Sequence, residues 1–198
     1  MTRVLVGITG ASGVLYGVRL VERLLDEDVP TEVIVSQPAR RVLAIEHDRP
    51  GDPREWLRGR TGNAPLFHDD ADLAGLPASG SSAPDAMLVV PCSMGTAARI
   101  TAGLSGTLIE RAADVMLKER RPLVLVPRET PFSTLHLRNL HELSTLGARI
   151  VPAMPAFYFR PKSMDELVEF VVDRALQAAG LGLPLRHPWR GADTGDAT

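Results

Sequence analysis

The feature that most constrains the fold is a regular alternation of short apolar runs with longer runs at helical spacing. The short runs have the length and the Val, Leu and Ile content of buried strands; they are Arg3–Ile8, Thr31–Ser36, Asp85–Pro91, Arg121–Pro127 and Ala148–Pro152. Helices are predicted for Val14–Asp28, Ala39–Glu46, Ser93–Ala102, Leu108–Glu119, Thr134–Leu146 and Ser163–Ala178. Strands that alternate with helices form a parallel sheet covered on both faces. The sequence therefore predicts an α/β fold with three layers, a Rossmann-like (flavodoxin-like) parallel sheet with helices on both faces.

Two stretches between these elements lack a clear period. Residues 48–64 are polar and contain Pro and Gly, which is typical of a surface loop, and residues 67–82 are predicted to be irregular. Ser163 and Glu166 have the capping-box spacing that starts a helix. We expect one domain over residues 1–190, including a tail that contacts other subunits, and a disordered tail over residues 191–198.

Composition excludes several classes of function. The chain has 198 residues, enough for one α/β domain, and its net charge of −2 provides no basic surface for nucleic acid or an anionic membrane. No apolar run reaches the length of a bilayer span, and the single cysteine, Cys92, excludes a disulfide framework. The histidines and the cysteine form no metal-ligand pattern. We therefore expect a cytoplasmic protein whose site uses no metal.

Small and charged residues follow each predicted strand. In parallel sheets the ligand lies beyond the carboxyl ends of the strands. The segments at those ends are Thr9–Gly13, Ser36-Gln37, Pro91–Thr96, Arg128–Thr130 and Pro152–Tyr158. Their Gly, Ser, Thr and charged residues predict one shared crevice that binds an anion.

The first of these segments places the small residues Gly10–Gly13 at the start of a helix. Free N–H groups and the helix dipole favour an anion there. No Gly-Lys-Ser/Thr follows, so a nucleoside triphosphate loop is disfavoured. Ser36 stands where an NAD site usually has an acidic residue, and a hydroxyl there suits a phosphate or ribityl chain, which points to FMN. The alternative is that the glycines only allow a strand and a helix to pack closely.

Two later segments add further donors and charges to the predicted crevice. Ser93 and Thr96 offer hydroxyl and N–H groups at a helix start, although Ser93 is equally typical of an ordinary N-cap. Arg128 and Glu129 lie side by side at a strand end, where the alternative is a solvated surface pair.

Taken together, these motifs resemble those of the UbiX/Pad-type flavin prenyltransferases, of the homo-oligomeric flavin-containing Cys decarboxylase-like superfamily. The matching text includes "GITGASGVLYGVRL", the Ser-Gly-Ser at Ser79–Ser81, "PCSMGT", "ERAADVMLKERRPLVLVPRETP", "GARIVPAMPAFYFRP" and "VVDRAL". It runs from Arg3 to about Arg190, and the stretch Glu110–Pro131 is the most specific part. The resemblance implies transfer of a dimethylallyl group from dimethylallyl monophosphate to N5 and C6 of reduced FMN, with no metal. It also implies a homododecamer and a UbiD-type decarboxylase that receives the prenylated FMN.

The resemblance further implies roles for individual residues. FMN would be bound by Gly10, Ala11, Ser12, Ser36, Ser93, Met94, Gly95, Thr96 and Arg128. The donor would be bound by Tyr158, Arg174, Ser79, Gly80, Arg111 and Trp189. Glu129 would be the acid/base residue, with Lys118 and Glu46 as further catalytic residues. Position 95 is a departure, because relatives often carry Lys where this chain has Gly.

The chemistry of the implied reaction suits these residue types. Without Mg²⁺, a leaving phosphate needs cationic side chains, for which the candidates are Lys118, Arg128 and Arg174. A carbocation-like dimethylallyl group needs an aromatic lining such as Tyr158 and Trp189. Each residue taken singly has an ordinary alternative: a cation at a helix end for Lys118, a solvated helix face for Arg174, and packing or a subunit contact for Tyr158 and Trp189.

Two rival functions remain open from the sequence. An FMN-dependent decarboxylase of cysteinyl substrates would share the glycine turn, but such enzymes typically carry an Asn-containing segment where this chain has "PCSMGT". His47 lies near the position of their catalytic His, although "AIEHD" fits the prenyltransferase pattern better. A non-catalytic flavin carrier or accessory subunit would need the FMN residues, but it would not need the set Lys118, Glu129, Tyr158 and Arg174 together.

Overall fold

The computed structural model describes residues 2–47, 52–57, 64–189 and 191. Its centre is a sheet of six strands in the order β3-β2-β1-β4-β5-β6, and every neighbouring pair is parallel. The strands are β1 (Val4–Ile8), β2 (Thr31–Val35), β3 (Leu66–His68), β4 (Ala86–Cys92), β5 (Leu123–Pro127) and β6 (Arg149–Ile150). This order is that of the Rossmann fold.

Helices cover both faces of the sheet. They are α1 (Val14–Asp26), α2 (Gln37–His47), α3 (Pro53–Leu57), α4 (Met94–Thr101), α5 (Leu108–Lys118), α6 (Thr134–Thr145) and α7 (Met164–Ala179). One apolar cluster joins the sheet to α1 and α7, and a second joins its other face to α4, α5 and α6. The predicted three-layer α/β fold is confirmed.

The strands form because their apolar residues are buried on both faces of the sheet. All five residues of β1 are buried. Val4, Val6 and Ile8 belong to the cluster with α1, whereas Leu5 belongs to the cluster on the opposite face. This is the period of two expected for a central strand between two layers of helices.

The structure corrects the sequence prediction at three elements. β3 (Leu66–His68) is an additional strand within the part predicted to be loop and irregular, and α3 (Pro53–Leu57) lies inside the predicted surface loop. β6 is only two residues long. Each is too short to show a clear period, and β3 is partly exposed because it lies at the edge of the sheet. Residues 48–51 and 58–63 of the predicted loop and residues 192–198 of the predicted disordered tail lie outside the described residues.

Helix α7 begins at an N-cap as predicted, with a different second half of the capping box. The Ser163 hydroxyl accepts a hydrogen bond from the backbone N–H of Glu166 at 3.2 Å. The Glu166 carboxylate accepts from the backbone N–H of Lys162 at 2.6 Å instead of from that of Ser163. The helix start is therefore secured by both side chains.

The strand order places a ligand crevice between β1 and β4. From β1 the chain crosses to β2 on one side, whereas β4 pairs with β1 on the other side. Helices that leave in opposite directions from neighbouring strands open a crevice at their carboxyl ends. Within the described ranges, no helix has both the length and the apolar character needed to cross a bilayer.

Candidate active site

A crevice of about 170 Å³ lies at the carboxyl ends of β1, β2 and β4. It brings together four residues predicted from separate strand ends, which are Gly10, Ser36, Ser93 and Thr96. The rest of its lining is Thr9, Pro38, Asp70, Arg99, Thr107, Ile109 and Glu110. Most of its lining residues have polar or charged side chains, and it lies where the order of the strands predicts a ligand.

Glycine is required in the turn after β1 for two reasons. A Cβ on Gly10 would lie 2.4 Å from Cβ of Pro38, so only glycine lets the turn approach α2 so closely. Gly13 has φ 90°, a left-handed conformation that favours glycine, and it is the N-cap of α1. Between them, Ala11 is buried and Ser12 is exposed. Close packing is thus a real function of this turn, beside any role in binding.

Glu46 of α2 holds the start of α1. Its two carboxylate oxygens accept hydrogen bonds from the backbone N–H of Gly13 at 2.9 and 3.0 Å. The negative charge lies at the positive end of the α1 dipole, which is a favourable position. Glu46 therefore fixes the turn that carries Gly10, Ala11 and Ser12.

Thr9 connects the carboxyl ends of β1 and β4, and the sequence prediction did not single it out. Its side chain is buried, donates a hydrogen bond to Pro91 O at 2.7 Å and accepts one from the Ser93 N–H at 2.8 Å. The signal in the sequence was a hydroxyl residue directly after β1. Thr9 thereby fixes the start of α4 relative to the glycine turn.

The start of α4 forms part of the crevice wall. Ser93 is its N-cap: the hydroxyl accepts from the Thr96 N–H at 3.2 Å and lies 3.0 Å from the Thr96 hydroxyl. Met94 is buried, whereas Gly95 is exposed. A Cβ on Gly95 would have only Arg99 Nη1 within 4 Å, at 3.4 Å. The ordinary N-cap role of Ser93 is confirmed, and position 95 has room for a side chain.

A group of charged residues in the crevice was missed from the sequence. Glu110 is buried, pairs with Arg99 Nε through one oxygen and accepts from the Gly106 N–H at 2.9 Å through the other. Asp70 accepts from the Ile109 N–H at 3.0 Å. Burial raises the pKa of the Asp70 carboxyl, and the nearby charge of Glu110 adds to the increase, although the bond from Ile109 opposes it. Nothing in the local sequence marks Asp70 as a crevice residue.

Arg128 and Glu129 lie at the end of β5, next to the crevice strands. The Arg128 N–H donates to Cys92 O at the end of β4, at 3.4 Å. Burial raises the pKa of the Tyr16 phenol in the first turns of α1, and the charge of Arg128 partly opposes that increase. The Glu129 carboxylate accepts from the Thr130 N–H at 3.0 Å. Arg128 is therefore within electrostatic reach of the start of α1.

Tyr158 and Trp189 lie together in an aromatic group that packs against α7 through Phe170. Their rings are 5.0 Å apart in a T-shaped arrangement, and the Tyr158 hydroxyl donates to His187 O at 3.0 Å. The tail that carries Trp189 is anchored to α7, because the Arg186 guanidinium pairs with Glu169 at 2.7 Å. Tyr158 therefore does pack against other aromatic residues, as the alternative proposed. Tyr158 is nevertheless 43% exposed and Trp189 64% exposed, so both rings also offer surface to a partner.

The remaining predicted donor residues lie elsewhere on the chain. Arg174 is exposed on α7, where its guanidinium donates to the Gln177 side chain. Lys118 pairs with Glu119 at 2.7 Å, and this hydrogen bond lowers the pKa of the Glu119 carboxyl. A Cβ on Gly80 would lie 2.1 Å from that Glu119 carboxylate, so Ser79-Gly80 packs against the same end of α5.

Helix α5 separates the residues around Lys118 from the crevice. Glu110, near the start of α5, lines the crevice, whereas Lys118 is the last residue of the helix. Eight residues of α-helix rise about 12 Å. Arg111 lies nearer the start, donating to Ala78 O at 3.2 Å and pairing with Asp114 at 2.9 Å. Within one chain, Lys118, Ser79 and Gly80 therefore do not reach the crevice.

Comparison with protein families and with individual proteins gives consistent matches. The Flavoprotein family profile matches residues 1–176. The chain is 45% identical to the flavin prenyltransferase UbiX of Pseudomonas aeruginosa, over 94% of this chain and 93% of that protein. It is 43% identical to flavin prenyltransferase UbiX of Escherichia coli K12, over 97% of this chain and all of that protein.

Solved structures give the same grouping. A dodecameric FMN-dependent UbiX-like decarboxylase from Escherichia coli O157:H7 has a TM-score of 0.88 and 42% identity, covering 96% of this chain and 100% of that one. A UbiX protein in complex with FMN and dimethylallyl pyrophosphate has a TM-score of 0.87 and 40% identity, covering 96% and 98%. The FMN-dependent cysteine decarboxylase TvaF, at 16% identity and a TM-score of 0.59 over 91% of this chain and 99% of that one, shares the fold alone.

Proposed function

Because the chain belongs to the Flavoprotein family, and within it to the UbiX flavin prenyltransferases, we propose that it transfers a dimethylallyl group from dimethylallyl monophosphate to reduced FMN. The product is prenylated FMN, which passes in the cytoplasm to a UbiD-type decarboxylase. The observation that carries the proposal is the crevice at the ends of β1, β2 and β4, in which Gly10, Ser36, Ser93 and Thr96 converge.

The residues of the crevice fit a flavin mononucleotide. The turn at Gly10 leaves no room for a side chain, and hydroxyl groups of Ser36 and Thr96 line the wall. Hydroxyl and N–H donors at helix starts suit a ribityl phosphate. Ala11, Ser12, Met94, Gly95 and Arg128 complete the proposed FMN site, at the turn, the start of α4 and the end of β5.

When bound, reduced FMN supplies the nucleophile, with N5 and C6 as the atoms that receive the dimethylallyl group. Glu129, which follows β5 in the sequence, is proposed to take the proton that leaves C6. Glu46 holds the turn at Gly13 and so keeps Ser12 in a fixed position. Through this bond to the turn, Glu46 is proposed to support catalysis.

The departing phosphate needs cations and hydrogen-bond donors. Arg128, Arg174 and Lys118 supply positive charge that replaces a metal ion. The Tyr158 hydroxyl supplies a donor when it exchanges its bond to His187 O for one to the phosphate. The faces of Tyr158 and Trp189 stabilise positive charge on the dimethylallyl group and exclude water from it. Ser79 and Gly80 border Lys118, and Arg111 lies nearer the start of the same helix; all three are proposed to contribute further contacts to the donor.

Assembly explains how residues that are far apart in one chain share a site. Lys118 lies at the far end of α5 from the crevice, so we propose that a neighbouring chain of a homododecamer presents Lys118, Ser79, Gly80 and Arg111 to it. Large apolar side chains remain uncovered in the single chain, including Ile45 (82% exposed), Phe157 (71%) and Met164 (71%). Exposed apolar side chains of this size support burial against further copies.

Release of the leaving group tests the proposal. The protein is incubated anaerobically with reduced FMN and dimethylallyl monophosphate, and inorganic phosphate is measured over time. We expect phosphate release that requires both the flavin and the protein, and pyrophosphate release from the diphosphate donor if that is also used. A protein that binds FMN but releases neither ion would contradict prenyl transfer and leave a flavin carrier or a decarboxylase of cysteinyl substrates.

A further inference from the structure

Arg99 of α4 borders the crevice and is held from behind by a buried carboxylate. Its Nε pairs with Glu110, which is 1% exposed and also accepts from the Gly106 N–H at 2.9 Å. Because Glu110 is fixed by the backbone of Gly106 and by burial, it fixes the Nε edge of the guanidinium. Among the described residues, the Nη groups on the other edge make no hydrogen bond or ion pair, so that edge can face a ligand.

That other edge lies over the first turn of α4. A Cβ on Gly95 would have Arg99 Nη1 at 3.4 Å and nothing else within 4 Å, so the guanidinium covers the space that the glycine leaves. The Arg99 side chain is 48% exposed and lines the crevice with Ser93 and Thr96. A positive group thus stands over a helix start that already presents two hydroxyls.

The surroundings of Arg99 suit a phosphate better than a flavin ring. Helices α2, α4 and α5 all begin beside the crevice, and the positive ends of helix dipoles favour an anion. Among the described residues that line the crevice none is aromatic, whereas a flavin ring needs a flat apolar surface. Asp70 and Glu110 add negative charge to the wall, so an anion there needs a neighbouring cation.

We propose that Arg99 binds the phosphate group of FMN and makes the crevice select FMN over riboflavin, which lacks that phosphate. This inference rests on the proposed function, because it takes the crevice to be the FMN site. Arg99 acts as a binding residue, and Glu110 acts through it as a positioning residue. Guanidinium–phosphate contacts are charge-assisted and frequently bidentate.

The test compares two ligands on the wild-type chain, two variants of Arg99 and one control variant. Affinities for FMN and for riboflavin are measured by flavin fluorescence with the wild-type chain, Arg99→Ala and Arg99→Lys. A matched control is Arg138→Ala, which removes the same charge from an exposed position on α6 outside the crevice. We expect Arg99→Ala to weaken FMN about 10- to 100-fold, the range for hydrogen bonds to charged groups, and to leave riboflavin nearly unchanged. Arg99→Lys is expected to restore part of the loss, and Arg138→Ala to change neither affinity.

A second variant separates binding from folding. Arg99→Ala leaves the buried Glu110 carboxylate without its partner, which can destabilise the chain. The double variant Arg99→Ala/Glu110→Gln removes that charge, and we expect it to show the same selective loss of FMN with unchanged riboflavin affinity. An unchanged riboflavin affinity also shows that the crevice is intact.

The outcomes distinguish the inference from the proposed function. An equal loss of FMN and riboflavin affinity in both Arg99 variants, or no loss of FMN, would overturn the role of Arg99 while leaving the flavin site in place. A wild-type chain that binds FMN no more tightly than riboflavin would also overturn it. A wild-type chain that binds neither flavin would contradict the proposed function, and the inference with it.

Discussion

Alanine at Gly17 is expected to destabilise the protein, although alanine normally favours a helix. Gly17 lies in α1, which packs on β4 and β1. A Cβ there would lie 2.2 Å from the carbonyl oxygen of Val90 and 3.0 and 3.1 Å from side-chain atoms of Ile8. Because Val90 is fully buried in β4, its carbonyl has little room to retreat. Helix α1 must therefore shift away from the sheet.

The magnitude follows from two opposing effects. Replacing glycine by alanine inside a helix contributes about 0.5–1 kcal/mol of stability, whereas overpacking a core costs about 1–3 kcal/mol. The overlap at Val90 is close to 1 Å by ordinary contact distances, so the cost dominates and we expect a net loss of about 1–2 kcal/mol. For a chain of this size that lowers the thermal midpoint by about 2–8 °C. Because α1 carries the turn at Gly13, FMN affinity is expected to fall as well.

Thermal unfolding followed by circular dichroism measures this effect, with Gly95→Ala as the matched control. Gly95 is also in a helix, but a Cβ there meets only the tip of the flexible Arg99 side chain at 3.4 Å. We expect the midpoint of Gly95→Ala to equal or exceed that of the wild type. A Gly17→Ala protein that melts at or above the wild-type temperature would refute the packing argument for α1.

Three further predictions concern single titratable groups. Glu129→Gln is expected to keep FMN bound and to slow turnover about 100- to 10,000-fold, the contribution of general acid–base catalysis; unchanged turnover would remove Glu129 from the mechanism. Burial raises the pKa of the Cys92 thiol to about 12, so iodoacetamide at pH 8 is expected to label Cys92 only after unfolding. Labelling of the folded chain at the rate of a free thiol would contradict that burial. Burial also raises the pKa of Asp70, so the folded chain holds this proton more tightly, and the stability contributed by this group falls as pH rises above 3.8. Asp70→Asn is therefore expected to raise the thermal midpoint at pH 7, and this gain is expected to shrink as the pH falls toward 3.8. A lower midpoint for Asp70→Asn at pH 7 would show that the hydrogen bond from the Ile109 N–H outweighs the effect of burial.

Much of the fold follows from patterns that are local in the sequence. The strands β1, β2, β4 and β5 are apolar runs buried on both faces, and the long helices carry clear amphipathic spacing. The edge strand β3 and the helix α3 are too short for their patterns to rise above the surrounding polar residues. Their positions depend on contacts with the rest of the sheet, which the sequence does not display.

The site divides in the same way. Gly10, Ser36, Ser93 and Thr96 could be predicted because they directly follow strands, and strand ends of a parallel sheet meet at one edge. Asp70, Arg99 and Glu110 enter the crevice from a loop and from helix turns, so their proximity is a property of tertiary packing. The separation of Lys118 from the crevice is likewise invisible in sequence, because it depends on the direction of α5.

The mass of the flavin after reaction tests the proposed function most directly. The protein is incubated anaerobically with dithionite-reduced FMN and dimethylallyl monophosphate, and the released flavin is analysed by mass spectrometry. Prenyl transfer predicts a flavin heavier by one five-carbon isoprenoid unit, formed by the wild type and greatly reduced in Glu129→Gln. A flavin of unchanged mass, still bound by the wild-type protein, would contradict prenyl transfer and leave a flavin carrier or a thiol-oxidising decarboxylase.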